Sequence, residues 1–395
     1  MSVEPGRLLV VDDVEANRDL LAKRLRQLGH SVALVENGRR ALDLVEQEDF
    51  DLILLDIMMP AMDGYEVLRR LQENPARKHI PVIMISAVDE IESVVRCIEL
   101  GATDYLPKPF NAVLLKARVH ATLEKKRLRD RERLYARSLE REMEIGREIQ
   151  ASFLPETLPQ PPGWEVAASF QPARQVAGDF YDVFALKSGF IGLVIADVCD
   201  KGVGAALFMA LFRTLIRASN ELVEPWLGGV TEPAARAAAR VRNAVVLTND
   251  YIARTHGDAN MFATLFFGVL DPETGLLIYV NGGHEPPILF SASEETTRLA
   301  PTGPAVGLLP DRKFEVGRAE MSPGDFFLGF TDGVTEAHSP SEEVFGEGRL
   351  LAILKPAPNS APALLARIEA SLSDHRAGKE LFDDVTMLAV RRVLP

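Results

Sequence analysis

Two short apolar runs near the start of the chain each end in acidic side chains. Residues 7–11 are followed by Asp12 and Asp13, and residues 51–55 are followed by Asp56. Runs of this length and composition are typical of strands buried on both faces of a parallel sheet. Because parallel sheets carry their functional side chains at the carboxyl ends of the strands, the pattern predicts a doubly wound α/β domain with an acidic edge.

The sequence between and beyond these runs alternates between helical and strand patterns. Leu21, Leu25 and Leu28 repeat on one helical face before Gly29, which predicts a helix that ends at the glycine. Further strands are predicted at residues 31–35, 81–85 and 104–106, with helices between them. We place this first domain at residues 1–121.

Ser86 and Lys108 also follow predicted strands, so we expect them to meet the three acids at the same edge. Three carboxylates suit a hard divalent cation such as Mg²⁺. A lysine and a hydroxyl complete a site for a phosphoryl group. A single acid at a strand end is a common helix cap, so the prediction depends on the whole set.

The first 121 residues resemble the receiver domain of two-component response regulators. The motifs are V-V-D-D, L-L-D-I-M-M-P-A-M-D-G, I-S-A and Y-L-P-K-P-F. The resemblance implies that Asp56 accepts a phosphoryl group from a sensor histidine kinase. It also implies that Asp13, Asp56 and the Met58 carbonyl bind Mg²⁺, with Asp12 in the same acidic cluster.

The same resemblance assigns the remaining receiver residues. Ser86 and Lys108 contact the phosphoryl group, and Tyr105 is the aromatic residue that reorients with Ser86. The Lys108–Pro109 peptide bond is expected to be cis. A half-buried strand residue is the alternative interpretation of Tyr105.

Residues 122–153 form a connector with a different composition, rich in Arg, Glu, Leu and Met. It contains one glycine and no proline, which predicts a long helix. Apolar residues recur along it at spacings that give only an imperfect seam: Leu128, Tyr135, Leu139, Met143, Ile149 and Phe153. Two interpretations stay open, a single solvated helix and a coiled coil in a homodimer.

Four acidic motifs follow in residues 154–395, each beside apolar, β-rich sequence. They are V-A-G-D-F-Y-D from residue 176, I-A-D-V-C-D-K-G from 195, F-T-D-G from 330 and F-D-D-V-T from 382. Any one of them alone would be interpreted as a turn aspartate. Acids without a Cys/His cluster suit Mg²⁺ or Mn²⁺, and two such ions about 4 Å apart can activate water for attack on phosphorus.

Residues 145–392 resemble the metal-dependent PPM phosphatases of the bacterial SpoIIE/RsbU-like branch. The motifs are E-I-Q-A-S-F-L-P, G-D-F-Y-D, A-D-V-C-D-K-G, M-F-A-T-L-F-F-G-V-L-D, N-G-G-H-E-P-P, T-D-G-V-T-E-A and D-D-V-T-M-L. The resemblance implies an α/β/β/α sandwich around two antiparallel sheets. It also implies hydrolysis of phosphoserine or phosphothreonine on a partner protein, with an anti-sigma-factor antagonist as that partner.

The resemblance gives Asp197 the central role, as the ligand that bridges two Mg²⁺ or Mn²⁺ ions. The Val198 carbonyl completes one of the two sites together with Asp179 or Asp182, of which Asp179 is preferred.

Asp332 completes the other site together with Asp383 or Asp384, of which Asp383 is preferred. Asp197, Asp332 and Asp383 are the expected catalytic acids.

Arg174 is a candidate for contact with the substrate phosphate, with a plain surface arginine as the alternative. His284, in a glycine-rich turn, is interpreted as structural, with proton donation as the alternative.

A binding module is the main competing function, a pseudophosphatase adaptor that docks a partner under receiver control. The presence of all four acids, Asp179, Asp197, Asp332 and Asp383, favours the enzyme. A net charge of −13 and the lack of a basic recognition helix argue against a nucleic-acid partner. We further expect residues 205–215 to form a core helix and residues 232–244 an exposed one.

No membrane partner is expected, because the apolar runs fall short of the ~18 residues that a membrane span needs. No secretion signal is recognised either. Cys97 and Cys199 are far apart and lack a Cys-x-x-Cys partner, which suits a reducing cytoplasm.

Overall fold

The computed structural model describes residues 5–87, 91–186, 189–223, 232–291 and 296–393. The chain divides into two compact units, Met1–Leu139 and Glu140–Pro395. The limits at residues 121 and 153 that the sequence suggests for the receiver and the connector stay predictions.

The first unit is a five-stranded parallel sheet with the strand order β2-β1-β3-β4-β5. This confirms the predicted doubly wound domain. One apolar core lies on each face of the sheet. Its elements are β1 (Arg7–Val11), α1 (Glu15–Gln27), β2 (Ser31–Val35), α2 (Gly38–Gln47), β3 (Leu52–Asp56), α3 (Gly64–Glu73), β4 (Val82–Ser86), α4 (Ile91–Glu99), β5 (Asp104–Pro107) and the first part of α5 (Ala112–Phe153).

Local sequence explains how the loops at the acidic edge are held. Asp63 caps α3, because its carboxylate accepts a hydrogen bond from the Glu66 backbone N–H at 2.8 Å. Gly64 follows, and a Cβ at that position would collide with the Asp56 carbonyl. The loop after β3 can therefore fold tightly against the end of the strand that carries Asp56.

The second unit contains two five-stranded antiparallel sheets, with the orders β13-β10-β9-β8-β7 and β12-β11-β14-β15-β6. Its strands are β6 (Trp164–Gln171), β7 (Phe180–Ala185), β8 (Ile191–Val198), β9 (Ala263–Leu270), β10 (Leu276–Gly282), β11 (Ile288–Phe290), β12 (Thr296–Arg298), β13 (Gly317–Glu320), β14 (Phe326–Phe330) and β15 (Val385–Arg392). Its helices, besides the end of α5, are α6 (Val203–Val223), α7 (Pro233–Thr255), α8 (Asp332–Thr335), α9 (Gly346–Ile353) and α10 (Ala361–Arg376).

Three apolar cores join these elements into four layers. Ile195, Phe266 and Phe327 are buried in the core between the two sheets. The helices α6 and α7 cover the outer face of the first sheet, and α9 and α10 cover that of the second. The predicted α/β/β/α sandwich is therefore confirmed.

The helices differ from the sequence predictions at two points. The helix α5 is continuous over 42 residues, and it begins at Ala112, before the predicted start of the connector. The helix predicted at residues 232–244 is present, but the prediction that it is exposed is wrong. Arg240 of α7 is buried, and Val241 and Ala244 pack in the core with α6 and the sheet. The core helix predicted at residues 205–215 is confirmed as part of α6.

None of the helices in the described ranges has both the length and the hydropathy of a bilayer span.

Candidate phosphoacceptor and metal centres

The first unit brings three acids together at the carboxyl edge of its sheet. Asp12 and Asp13 follow β1, and Asp56 ends β3, which is paired with β1. Ligand oxygens of the three carboxylates lie within 4.8 Å of one another. Among the described residues, no other trio of acids, histidines or cysteines brings its ligand atoms this close together. The donor set is all carboxylate, as Mg²⁺ prefers.

Lys108 lies directly over this cluster. Its Nζ is 2.8 Å from Asp12 Oδ2 and 2.9 Å from Asp56 Oδ2. Burial raises the pKa of the Asp56 carboxyl above its usual range, although the Lys108 ammonium opposes the shift. The lysine thus supplies positive charge at the carboxylate proposed to accept the phosphoryl group.

The remaining receiver residues also lie around this edge. The Lys108 backbone N–H donates to the Ser86 carbonyl at 2.7 Å, which brings the ends of β4 and β5 together. The Lys108–Pro109 bond is cis, as expected. Ser86 and Tyr105 are buried, whereas the Met58 side chain is exposed.

A second acidic cluster lies where the two sheets of the C-terminal unit meet. Asp179 precedes β7 and Asp197 lies near the end of β8, its neighbour in the first sheet. Asp332 follows β14, and Asp383 precedes β15, its neighbour in the second sheet. Four separate segments of the chain therefore contribute one acid each.

The pKa values of these acids are raised, in part because the carboxylates lie close enough to repel one another. Burial, with the nearby Asp332 charge, raises the pKa of Asp197 to about 7. Burial, with the nearby Asp383 charge, raises the pKa of Asp332 to about 6. The pKa of Asp179 is also raised well above its usual range, by burial and then by Asp197. An all-carboxylate cluster that is hard to ionise fits divalent cations, whose charge would relieve the repulsion.

Asp179 is held by two hydroxyl groups from the second sheet. The Thr331 and Thr386 side chains each donate to Asp179 Oδ2 over 2.7 Å. All three residues are buried. Both bonds fall on the same oxygen, so the orientation of this carboxylate is fixed.

Asp384 has a different environment from its neighbour Asp383. The Asp384 carboxylate accepts hydrogen bonds from the backbone N–H groups of Ala173 at 2.7 Å and Gly178 at 3.0 Å. Both of its oxygens are thus used to hold the loop before Asp179. Asp383 instead forms an ion pair with Lys201, at 2.6 Å.

Asp182, the alternative to Asp179, is engaged elsewhere. It forms ion pairs with Arg217 at 2.5 Å and Arg213 at 3.1 Å, both on α6. Side chains alternate along a strand, so Asp182 shares the face of Phe180, which packs against α6. Asp179 precedes the strand and meets the other acids.

Val198, Arg174 and His284 are the three further candidate residues from the sequence. A Cβ at Gly178 would lie 2.7 Å from the Val198 carbonyl oxygen, so this carbonyl lies beside the Asp179 loop. Arg174 is exposed. His284 is buried, with Nδ1 2.8 Å from Thr264 Oγ1, and burial lowers its pKa to about 4. A neutral imidazole in this setting favours the structural interpretation.

Sequence reasoning did not single out Thr331, Thr386, Lys201 or Gln150. Gln150, near the end of α5, donates to the Ala177 carbonyl at 2.6 Å and accepts from the Ala177 N–H at 3.0 Å. Each of the four residues lies inside a motif quoted above, so the motifs already marked these positions. Their hydrogen-bond and ion-pair partners lie elsewhere in the chain, and the sequence alone does not show which residues meet.

Two family models match the chain. The model for the response regulator receiver domain matches residues 8–120, and the model for stage II sporulation protein E (SpoIIE) matches residues 187–393. The chain belongs to the SpoIIE family. This match includes Asp197, Asp332 and Asp383, and it begins after Asp179. Both resemblances noted from the motifs are confirmed, and the chain joins a receiver domain to a SpoIIE/PPM domain.

Individual relatives cover different parts of the chain. Protein IcfG of Synechocystis sp. is 45% identical over 262 residues, which are 64% of this chain and 41% of IcfG. Response regulator PleD of Caulobacter vibrioides is 43% identical over 116 residues, 29% of this chain and 26% of PleD. The chain therefore spans less than half the length of either protein. The SiaA-PP2C domain of Pseudomonas aeruginosa shares the fold of the second unit, with a TM-score of 0.50 and 22% identity over 65% of this chain and 98% of that domain.

Proposed function

We propose that the chain is a response regulator whose output is hydrolysis of phosphoserine or phosphothreonine on a partner protein. The C-terminal unit performs the reaction with two Mg²⁺ or Mn²⁺ ions, and phosphorylation of Asp56 controls it. The observation that carries the proposal is the convergence of Asp179, Asp197, Asp332 and Asp383 from four segments of two sheets.

Asp197 is the residue best suited to bridge two cations, because its carboxyl interacts with both Asp179 and Asp332. Asp179 and the Val198 carbonyl would hold one ion, and Asp332 and Asp383 the other. Bound there, the ions supply Lewis acidity and an activated water for attack on phosphorus.

Asp182 and Asp384 are then structural residues in this proposal. Asp182 neutralises the two α6 arginines, and Asp384 fixes the loop that carries Asp179. Of the two alternatives that the sequence left open, the proposal takes Asp179 and Asp383, and these contacts support that choice.

The receiver provides the input, with a sensor histidine kinase as the phospho-donor. Its three clustered carboxylates suit one Mg²⁺, and Lys108 is already in contact with Asp56. A phosphoryl group on Asp56 would compete with Asp12 for that ammonium. A change in the contacts of Lys108 with Asp12 and Asp56 would be the local event that starts a conformational change.

The helix α5 is proposed to carry the signal to the second site. Within the C-terminal unit, its residue Gln150 makes two hydrogen bonds to Ala177, two positions before Asp179. A shift of this end of the helix would therefore displace a metal ligand. Phosphorylation can act only by favouring one of two arrangements of such an element. We propose that the arrangement involves a homodimer formed along α5.

The partner is proposed to be an anti-sigma-factor antagonist, as the family resemblance implies. Both cysteines are free, and Cys97 is buried, which is compatible with the proposed cytoplasmic location. No role for a nucleic acid or a membrane is proposed.

The test is hydrolysis of a phosphoserine protein and of a generic aryl phosphate by the purified chain. Each substrate is assayed with Mg²⁺, with Mn²⁺ and with a chelator, before and after treatment with a small phospho-donor. The proposal requires metal-dependent release of phosphate and a rate that changes after the donor is added. Release that persists in excess chelator would contradict it.

A further inference from the structure

Lys201 is the charged residue at the border of the second acidic cluster. It lies in the loop between β8 and α6, and its Nζ is 2.6 Å from Asp383 Oδ2. The same ammonium donates to the Phe382 carbonyl at 3.0 Å and lies 4.7 Å from the centroid of the Phe382 ring. The Lys201 and Asp383 side chains are 31% and 25% exposed, so this ion pair lies at the solvent-facing border of the cluster.

The other acids of the cluster have partners of a different kind. Asp179 is held by hydroxyl groups and Asp384 by backbone N–H groups. Within the described parts of the chain, Lys201 is the one lysine or arginine that forms an ion pair with Asp179, Asp197, Asp332, Asp383 or Asp384. It is thus the protein's own source of positive charge at this site.

A phosphoester substrate needs such a charge. A phosphate monoester carries about two negative charges near neutral pH, so a positively charged side chain beside the acids would favour its binding together with the cations. Lysine is suited to this task, because its ammonium is a compact charge on a flexible stem. The Phe382 carbonyl and ring provide contacts that keep the ammonium near the site when Asp383 is engaged by a cation.

We propose that Lys201 binds the phosphoryl group of the substrate, and that its ammonium would be available for this when Asp383 serves as a metal ligand. The inference rests on the proposed phosphatase function and adds a substrate-binding residue to it. Lys201 then exchanges one anionic partner, the Asp383 carboxylate, for another, a phosphoryl oxygen. Phe382 is a positioning residue that orients the ammonium.

The test compares Lys201→Gln and Lys201→Arg with the unmodified full-length chain. KM and kcat are measured on an aryl phosphate, and binding of Mn²⁺ alone and of inorganic phosphate to the Mn²⁺-loaded protein is measured by calorimetry. Loss of one charge-assisted hydrogen bond should raise KM and the phosphate Kd about tenfold in Lys201→Gln. Lys201→Arg should recover most of the phosphate affinity. Mn²⁺ affinity should be unchanged or higher in Lys201→Gln, because no ammonium competes for Asp383.

Lys379→Gln is the matched control, since Lys379 forms an ion pair with Glu342 in the same unit. Its phosphate affinity should equal that of the unmodified chain. The inference is overturned if Lys201→Gln binds phosphate normally, or if it loses Mn²⁺ and phosphate affinity together, as a structural role would predict. Phosphate calorimetry decides this even for a chain that hydrolyses no substrate, so failure of the inference and failure of the proposed function are separate outcomes.

Discussion

Thr386 and Asp179 are 207 positions apart in the chain, and the threonine hydroxyl donates a hydrogen bond of 2.7 Å to the aspartate. The bond joins the end of one sheet to the loop that precedes a strand of the other. Thr331, directly after the strand paired with β15, donates to the same oxygen. The two hydroxyls thus bind one carboxylate oxygen of Asp179, and the Asp179 carboxyl also lies close enough to Asp197 for a side-chain hydrogen bond.

Removal of the Thr386 hydroxyl should therefore weaken the metal centre. A hydrogen bond to a charged group contributes about 1.5–3 kcal/mol, so Thr386→Val should lower Mn²⁺ affinity or kcat about tenfold or more. Thr386→Ser keeps the donor and should remain within about threefold of the unmodified chain. Calorimetry with Mn²⁺ and initial rates on an aryl phosphate measure both quantities. Equal loss in the serine and valine variants would contradict the prediction, because serine keeps the hydroxyl that valine lacks.

Asp56 should be the residue that takes up phosphate from a small phospho-donor in the presence of Mg²⁺. Asp56→Ala should abolish labelling, because it removes the carboxylate that Lys108 contacts. Asp43→Ala is a suitable control, since Asp43 is a surface residue of α2 with only a weak ion pair at 3.7 Å. Intact-mass spectrometry detects the added phosphoryl group. Equal labelling of the Asp56→Ala variant would exclude this assignment.

The connector should transmit the signal through its exposed apolar residues. Leu128 and Leu139 are 55% and 45% exposed, so replacing both with Asp should leave each unit folded. We expect Leu128→Asp/Leu139→Asp to make the phosphatase rate insensitive to Asp56 phosphorylation, because charges along a helix pair oppose its association. Leu20→Asp, at an exposed site on α1, is the control for an added surface charge. A normal response of the double variant, with an unchanged oligomeric state in light scattering, would make the connector a passive tether.

His284 should make the stability of the C-terminal unit depend on pH. The imidazole titrates near 6.5 when unfolded and near 4 when folded, so between these values the unfolded state binds a proton that the folded state does not. Above pH 6.5 the imidazole is neutral in both states and does not lower the free energy of unfolding. As the pH falls from 6.5 towards 4, the free energy of unfolding decreases, because protonation favours the unfolded state. The loss should reach about 3 kcal/mol at pH 4. Urea denaturation of His284→Gln at several pH values should show this contribution missing, and an identical pH slope in the variant would contradict the prediction.

The receiver was the part of the fold most open to prediction from sequence. Its strands are short, buried and parallel, so the strand ends alone placed Asp12, Asp56 and Lys108 at one edge. The order of strands and acids along the chain was sufficient, because each strand end faces the same edge in a parallel sheet.

The C-terminal site was harder to predict, because its contacts cross between two antiparallel sheets. Nothing in the local sequence distinguishes Asp179 from Asp182, and only the packing of α6 on the first sheet gives Asp182 its arginine partners. The prediction that α7 is exposed was wrong for a similar reason. Its Arg240 is polar in sequence, but tertiary packing buries it.

Hydrolysis of an aryl phosphate by the Asp197→Asn variant tests the central claim most directly. We expect metal-dependent turnover in the unmodified chain and at most about 1% of it in Asp197→Asn, since one shared acid organises both cations and the attacking water. Asp200→Asn removes the same charge three positions away, from an exposed residue with a φ of 71°, and should retain metal-dependent turnover. Near-normal turnover in Asp197→Asn, or no turnover in the unmodified chain with either metal, would contradict the account and favour a receiver-controlled adaptor.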